Sequence, residues 1–124
     1  MRLAATLYVL LLLGIVALAD TGEIGGIVTL VHSIPAFDKL AHFLFALGLG
    51  AIVEAAHGGR GRALKWVIAV VVLEEVSQLA IPGRSFDLLD LAADMAGLLG
   101  GTAAAIGARA RLARRTPSAL PANL

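Results

Sequence analysis

Four apolar stretches constrain this chain more than any other feature of its sequence. They cover residues 3–19, 40–56, 63–81 and 88–108, and each is close to the roughly 20 residues that a helix needs to cross a bilayer. Hydrophobic residues make up 59% of the 124 residues and charged residues 15%, a composition outside the soluble range. Because backbone groups in lipid must be hydrogen-bonded within the segment, we predict an all-α membrane protein with four transmembrane helices.

The distribution of charge predicts how these helices are oriented. Eight of the ten basic residues flank one side of the predicted bundle: Arg2, Arg60, Arg62, Lys65, Arg109, Arg111, Arg114 and Arg115. Since basic flanks favour the cytoplasmic side, both termini are predicted to be cytoplasmic. We expect a single domain over residues 1–115, a disordered cytoplasmic tail at 116–124, membrane lipids as partners and no nucleic-acid partner.

Two segments leave alternatives open. The first stretch ends in Ala17-Leu18-Ala19 before Asp20, which is also typical of a cleavable signal peptide. Its length favours a retained helix, and the other helices keep their orientation in both cases. The first outer loop carries an apolar run from Gly25 to Pro35. This run is a candidate interfacial segment, or one that dips back into the bundle.

Polar residues gather at the non-cytoplasmic ends of the second, third and fourth predicted helices. Asp38 and His42 are four residues apart and therefore share a helix face. Glu75 shares a face with Gln78 and, at 1.5 Å per residue, lies roughly 9 Å below the end of its helix. A third stripe, at steps of three and four, consists of Asp87, Asp90, Asp94, Gly97 and Gly101. The glycines predict close helix packing.

In a bundle, these segments would form one polar pocket that opens outward. It would contain more acids than bases: Asp38, Glu74, Glu75, Asp87, Asp90 and Asp94 against Lys39, Arg84 and His42. The acids cannot all stay ionised side by side in a low dielectric, so some must pair with a cation, bind a metal or stay protonated. The alternative is structural, because interfacial charges and hydrogen bonds between helices need the same residue types.

An ordered set of motifs resembles the VanZ-like family of bacterial membrane proteins. The set consists of Asp38-Lys39-x-x-His42-Phe43, Glu75-x-x-Gln78, Arg84, Asp90, Asp94 and Gly97-x-x-x-Gly101. Two positions depart from the family's pattern, since Glu74 replaces a frequent Asp and Asp94 falls where many members carry Asn. The resemblance, over about residues 35–101, implies a multi-pass protein of the bacterial cytoplasmic (inner) membrane and cell envelope. It also implies an association with resistance to the glycopeptide antibiotic teicoplanin.

Three functions fit this pattern, and the sequence does not decide between binding and catalysis. The leading hypothesis is that the pocket engages a lipid-linked or peptidoglycan-type ligand, with Arg84 and Lys39 contacting its phosphate or carboxylate groups. The expected ligand-binding residues are Asp38, Lys39, His42, Glu75, Gln78, Arg84, Asp90 and Asp94.

The second hypothesis is an intramembrane enzyme that uses acid–base or metal-assisted chemistry on a phosphorylated lipid-linked substrate. Its candidate catalytic residues are His42, Glu75 and Asp90. The third is ion or proton translocation, which is disfavoured because the inner halves of the helices offer no polar path. No cofactor or metal motif is recognisable. A homodimer with its pocket at the interface also stays open, since four short helices enclose little space.

Overall fold

The computed structural model describes residues 2–34, 36–58, 61–82 and 86–115. The expectations that concern Arg60, Arg84 and the tail at 116–124 lie outside these residues. Within them the chain forms α1 (Arg2–Asp20), α2 (Gly25–Ser33), α3 (Phe37–His57), α4 (Leu64–Ser77), a single 3₁₀ turn (Gln78–Ala80) and α5 (Leu88–Arg115). The prediction of an all-α protein is confirmed.

Two helices, α3 and α5, are long and apolar enough to cross a membrane by length and composition. The first helix is a shorter apolar one over Arg2–Leu18, so the count of four spans stays a prediction. α5 continues past its predicted end at residue 108 to Arg115. This extension is consistent with its alanines and arginines, which are good helix formers, and with basic residues in the last turn, which interact favourably with the helix dipole.

The first outer loop contains a helix rather than an irregular apolar run. α2 contacts α3 and leaves large side chains exposed, among them Ile27 (62%) and Leu30 (64%). Exposed aliphatic side chains of this size suit an environment of lipid, so α2 remains a candidate interfacial segment.

Contacts between side chains fix the relative directions of the helices. α3 and α5 run parallel, because His42 contacts Asp94 near their N-termini and Arg109 contacts Glu54 near their C-termini. α1 runs antiparallel to α3, since the Tyr8 hydroxyl donates to the carbonyl oxygen of Phe45 (3.0 Å) while Ala5 lines a groove with Val53 further along. α4 runs opposite to α5. The N-terminal ends of α3 and α5 therefore meet the C-terminal end of α4.

The contact between α3 and α5 is the most extensive in the fold, and glycines make it possible. A Cβ atom on Gly97 would collide with the carbonyl oxygen of Phe43, and one on Gly101 with that of Leu47. The predicted packing role of Gly97 and Gly101 is thus confirmed. The sequence interpretation missed Gly50 of α3, which faces the backbone of α5 in the same way. Bare backbones on both sides let the two helices approach closely.

Candidate functional site

The ammonium group of Lys39, on the first turn of α3, connects that helix to α5. Its Nζ lies 3.0 Å from Asp38 Oδ2, 2.7 Å from Asp87 Oδ2 and 2.5 Å from Asp90 Oδ1. An ammonium group has three protons, and here it has three carboxylates around it. The side chain of Lys39 is 31% exposed, whereas that of Asp90 is 11% exposed. Lys39 therefore neutralises part of a largely buried negative charge.

His42 lies one turn further along α3 and faces the same face of α5. Its Nδ1 is 3.2 Å from both carboxylate oxygens of Asp94, and its Nε2 is 3.8 Å from Asp90 Oδ2. Asp94 thus holds one nitrogen of the ring and directs the other toward Asp90. This is the arrangement in which a carboxylate orients an imidazole for proton transfer or for metal binding.

Asp87 begins α5 as its N-cap residue. Its Oδ1 accepts a hydrogen bond from the backbone N–H of Leu89 (2.8 Å), which satisfies one of the free donors of the first helical turn. Its other oxygen accepts from Lys39 (2.7 Å). The hydrogen bond from Lys39, supported by that from Leu89, holds the pKa of the Asp87 carboxyl below its ordinary value.

Glu75 connects the end of α4 to the start of α5. It is fully buried, with 0% of its surface exposed, and its Oε1 accepts the backbone N–H of Asp87 (2.9 Å). The Gln78 amide donates to Glu75 Oε2 (3.3 Å) and to Glu74 Oε1 (3.0 Å). These hydrogen bonds hold the backbone of Asp87 against α4. Glu75 and Gln78 therefore position Asp87 and are not directed toward lipid or solvent.

The structure brings the predicted residues of α3, α4 and α5 to one end of the bundle. We refer to them as the polar cluster, which consists of Asp38, Lys39, His42, Glu74, Glu75, Gln78, Asp87, Asp90 and Asp94. For Asp87 the sequence left open an acid of the pocket or an ordinary interfacial charge, and the structure shows contacts with α4, α3 and the first turn of α5. An Asp directly before an apolar helical run was the available signal for this N-cap role.

Three members of the polar cluster have the chemistry and spacing of a metal site. One ligand atom from each of Asp38, His42 and Asp90 lies within 4.8 Å of the others, and imidazole with carboxylates suits several divalent metals. Lys39 already pairs with the carboxylates of Asp38 and Asp90. A metal ion would therefore share these carboxylates with the Lys39 ammonium or displace it.

A further buried acid lies at the opposite end of α3. Glu54 is 2% exposed, and its Oε1 lies 3.7 Å from Arg109 Nη1. Its Oε2 accepts the backbone N–H of Gly61 (2.8 Å), and Arg109 donates to its carbonyl oxygen (2.7 Å). Glu54 thereby joins α3, the turn before α4 and the far end of α5.

Comparison with known proteins gives one match. The model of the VanZ/LLP1 family matches residues 5–109, a region that includes most of α1, all of the polar cluster and the glycine contact between α3 and α5. No curated protein and no solved structure matches significantly. Because the family model covers most of the sequence, the chain belongs to the VanZ/LLP1 family.

Proposed function

We propose that this protein is a multi-pass protein of the bacterial cytoplasmic membrane, acting in the cell envelope. In this proposal its polar cluster faces outward and binds a lipid-linked or peptidoglycan-type ligand. The alternating directions of α1, α3, α4 and α5 support four spans with both termini in the cytoplasm. The distribution of basic residues also supports it, because Arg2 and Arg109 lie at the end opposite to the polar cluster.

The observation that carries the binding proposal is the group of carboxylates around Lys39 and His42. Among the described residues, the carboxylates of Asp38, Asp87, Asp90 and Asp94 lie around one ammonium group and one imidazole. Buried carboxylates are costly in a membrane protein and mark functional positions. We infer that carboxylates of the polar cluster accept hydrogen bonds from a ligand.

The geometry changes the expected mode of recognition. Lys39 was expected to contact phosphate or carboxylate groups of the ligand, but its ammonium group already lies within ion-pair distance of three carboxylates. We therefore propose that the ligand is recognised through hydroxyl or amine groups, which donate to Asp90 and Asp94. Cell-wall precursors, with sugar hydroxyls and peptide amines, supply such donors. Glu75 and Gln78 act as positioning residues in this proposal.

Mass spectrometry of material that co-purifies with the protein tests this proposal. We expect wild-type protein, extracted gently from bacterial membranes, to retain a lipid that carries sugar or amino-acid groups. Asp94→Asn should retain less of it, because one acceptor of the polar cluster is replaced by an amide. Glu23→Gln is the matched control, since Glu23 is exposed in the turn before α2. Folded wild-type protein that carries no such lipid would contradict the proposal.

The orientation of His42 favours a second candidate function, an intramembrane enzyme. With Asp94 holding Nδ1 and Nε2 directed toward Asp90, His42 has the geometry of a general base, and a bound divalent metal would supply Lewis-acid polarisation. If the protein is an enzyme, wild-type protein should convert the co-purified lipid, and His42→Gln should bind the lipid without converting it. A lipid that stays unchanged on wild-type protein, with divalent metal added, would exclude this candidate.

Ion translocation has less support from the described contacts. Between the polar cluster and Glu54, the contact between α3 and α5 consists mainly of close-packed small and apolar groups, with Leu98 of α5 0% and Ala46 of α3 4% exposed. Such a dry contact offers no continuous row of polar side chains. The described part of α3 and α5 therefore favours binding over conduction.

The family's association with teicoplanin extends to this chain only as part of the proposal. Expression of the wild-type protein in a susceptible bacterium should raise the inhibitory concentration of teicoplanin, and Asp94→Asn should raise it less at equal protein level. Glu23→Gln should act like wild type. An unchanged inhibitory concentration with wild-type protein in the membrane would remove the resistance role without affecting ligand binding.

A further inference from the structure

A groove separates α1 from the C-terminal half of α3, far from the polar cluster. It has a volume of about 210 Å³ and is almost entirely apolar, and its walls are formed by Ala5, Thr6, Val9, Leu10, Val53 and His57. One water molecule, similar in size to a methylene group, takes up about 30 Å³ in the liquid, so the groove has room for about seven such groups. This volume fits part of a hydrocarbon chain.

Basic residues lie on both sides of the groove, at the end that is farther from the polar cluster. On α1, Arg2 lies one turn before Thr6, whose hydroxyl donates to the Arg2 carbonyl oxygen (3.0 Å). On the other side, the Arg109 guanidinium lies against Gly58, the residue after His57, because a Cβ atom on Gly58 would come within 3.1 Å of its Nη1. The Arg109 side chain is 43% exposed. Arg109 Nη1 lies 3.7 Å from Oε1 of the buried Glu54, whose Oε2 accepts the backbone N–H of Gly61, so a bound phosphate shares the guanidinium with this carboxylate.

We propose that this groove binds an anionic phospholipid from the leaflet on the Arg2 side. One acyl chain lies between α1 and α3, and the phosphate lies between Arg2 and Arg109. Charge complementarity argues for this occupant, since basic sites between membrane helices attract anionic headgroups and guanidinium groups match the geometry of phosphate oxygens. The apolar walls argue for a lipid rather than for free phosphate. This inference does not depend on what the polar cluster binds.

Native mass spectrometry in neutral detergent tests the proposal, with phosphatidylglycerol as the probe and phosphatidylcholine of identical acyl chains as its zwitterionic counterpart. Glycerol phosphate is the probe for the headgroup alone. Arg2→Gln removes one charge, and Thr6→Phe fills the groove without changing charge. Arg111→Gln is the matched control, because Arg111 is an exposed basic residue at the same end of α5. Arg109 is left unchanged because it also holds Glu54.

We expect wild-type protein to bind phosphatidylglycerol more tightly than phosphatidylcholine and not to bind glycerol phosphate. Arg2→Gln should lower the affinity for phosphatidylglycerol about fivefold, the effect of one basic residue near an anionic surface. Thr6→Phe should abolish the binding of this lipid. If Thr6→Phe does not fold, Val9→Phe takes its place. Equal weakening by Arg111→Gln, equal binding of both lipids, or full binding by the groove-filling variant would overturn the proposal.

Discussion

At the scale of single residues, Lys39 neutralises part of the negative charge of the polar cluster. Carboxylates on two helices converge on its ammonium group, and the most buried of them, Asp90, is 8% exposed. A carboxylate in such a position needs a cation or a proton, because its desolvation is otherwise uncompensated. Lys39 therefore contributes to the fold as well as to the charge of the proposed site.

Lys39→Gln should destabilise the protein by about 2–3 kcal/mol. Loss of one partner from a buried ion pair costs about 3–5 kcal/mol, and partial exposure of Lys39 reduces that cost. Lys65→Gln is the matched control, since Lys65 is exposed and lies 5.6 Å from the centre of the Trp66 ring. Thermal unfolding in detergent measures both. Equal midpoints for the two variants would show that the carboxylates do not depend on Lys39.

Low pH should destabilise the N-terminal end of α5, because it protonates the carboxylate of Asp87. Its pKa in the folded protein lies below the ordinary value of 3.8, so the charged form stabilises the fold above that pH. This contribution is lost as the pH falls through the folded pKa. Wild type should therefore be more stable than Asp87→Asn at neutral pH, and the difference should shrink below about pH 4. A difference that stays constant in unfolding experiments down to pH 3 would contradict the role of the charge.

At the scale of helices, the fold depends on the close approach of α3 and α5. Gly101→Ala should destabilise the protein by about 1–3 kcal/mol, the cost of overpacking, because its Cβ atom would collide with the backbone of Leu47. Gly107→Ala is the control in the same helix, since nothing lies within 4 Å of its Cβ position. It should be neutral or up to about 1 kcal/mol more stable. The opposite order of unfolding midpoints would contradict the observed packing.

The sequence predicted those features that depend on local periodicity. Helical spacing was enough to put Asp90, Asp94, Gly97 and Gly101 on one face of α5, because side chains three and four residues apart share a helix face. Contacts between segments that are distant in sequence were not predictable. The pairing of Lys39 with Asp87 and the place of Gly50 depend on the register of α3 against α5, which no short motif encodes. The apolar run at residues 25–33 was short enough to be ambiguous.

At the scale of the whole molecule, the proposal requires alternating loops on opposite sides of the membrane. The chain contains no cysteine, so a thiol reagent labels only a cysteine that is introduced by substitution. With a thiol reagent that does not cross membranes, Glu23→Cys and Pro82→Cys should react in intact cells, and Arg62→Cys and Arg111→Cys only after permeabilisation. These positions follow α1, α4, α3 and the hydrophobic part of α5 respectively. Reaction of Arg62→Cys in intact cells would contradict four spans with cytoplasmic termini.

The proposed outward position of the polar cluster connects its charge to its proposed ligand. Its carboxylates disfavour a bare phosphate and favour hydroxyl and amine donors, so affinity should depend on the group that the lipid carries. Binding to purified protein in lipid nanodiscs measures this directly, with a lipid-linked cell-wall precursor and its undecorated lipid-phosphate carrier as the two ligands. The account predicts that only the precursor binds well, and that Asp94→Asn weakens it at least about tenfold through loss of a charged hydrogen bond. Equal binding of the bare carrier, or an unchanged affinity in Asp94→Asn, would contradict it.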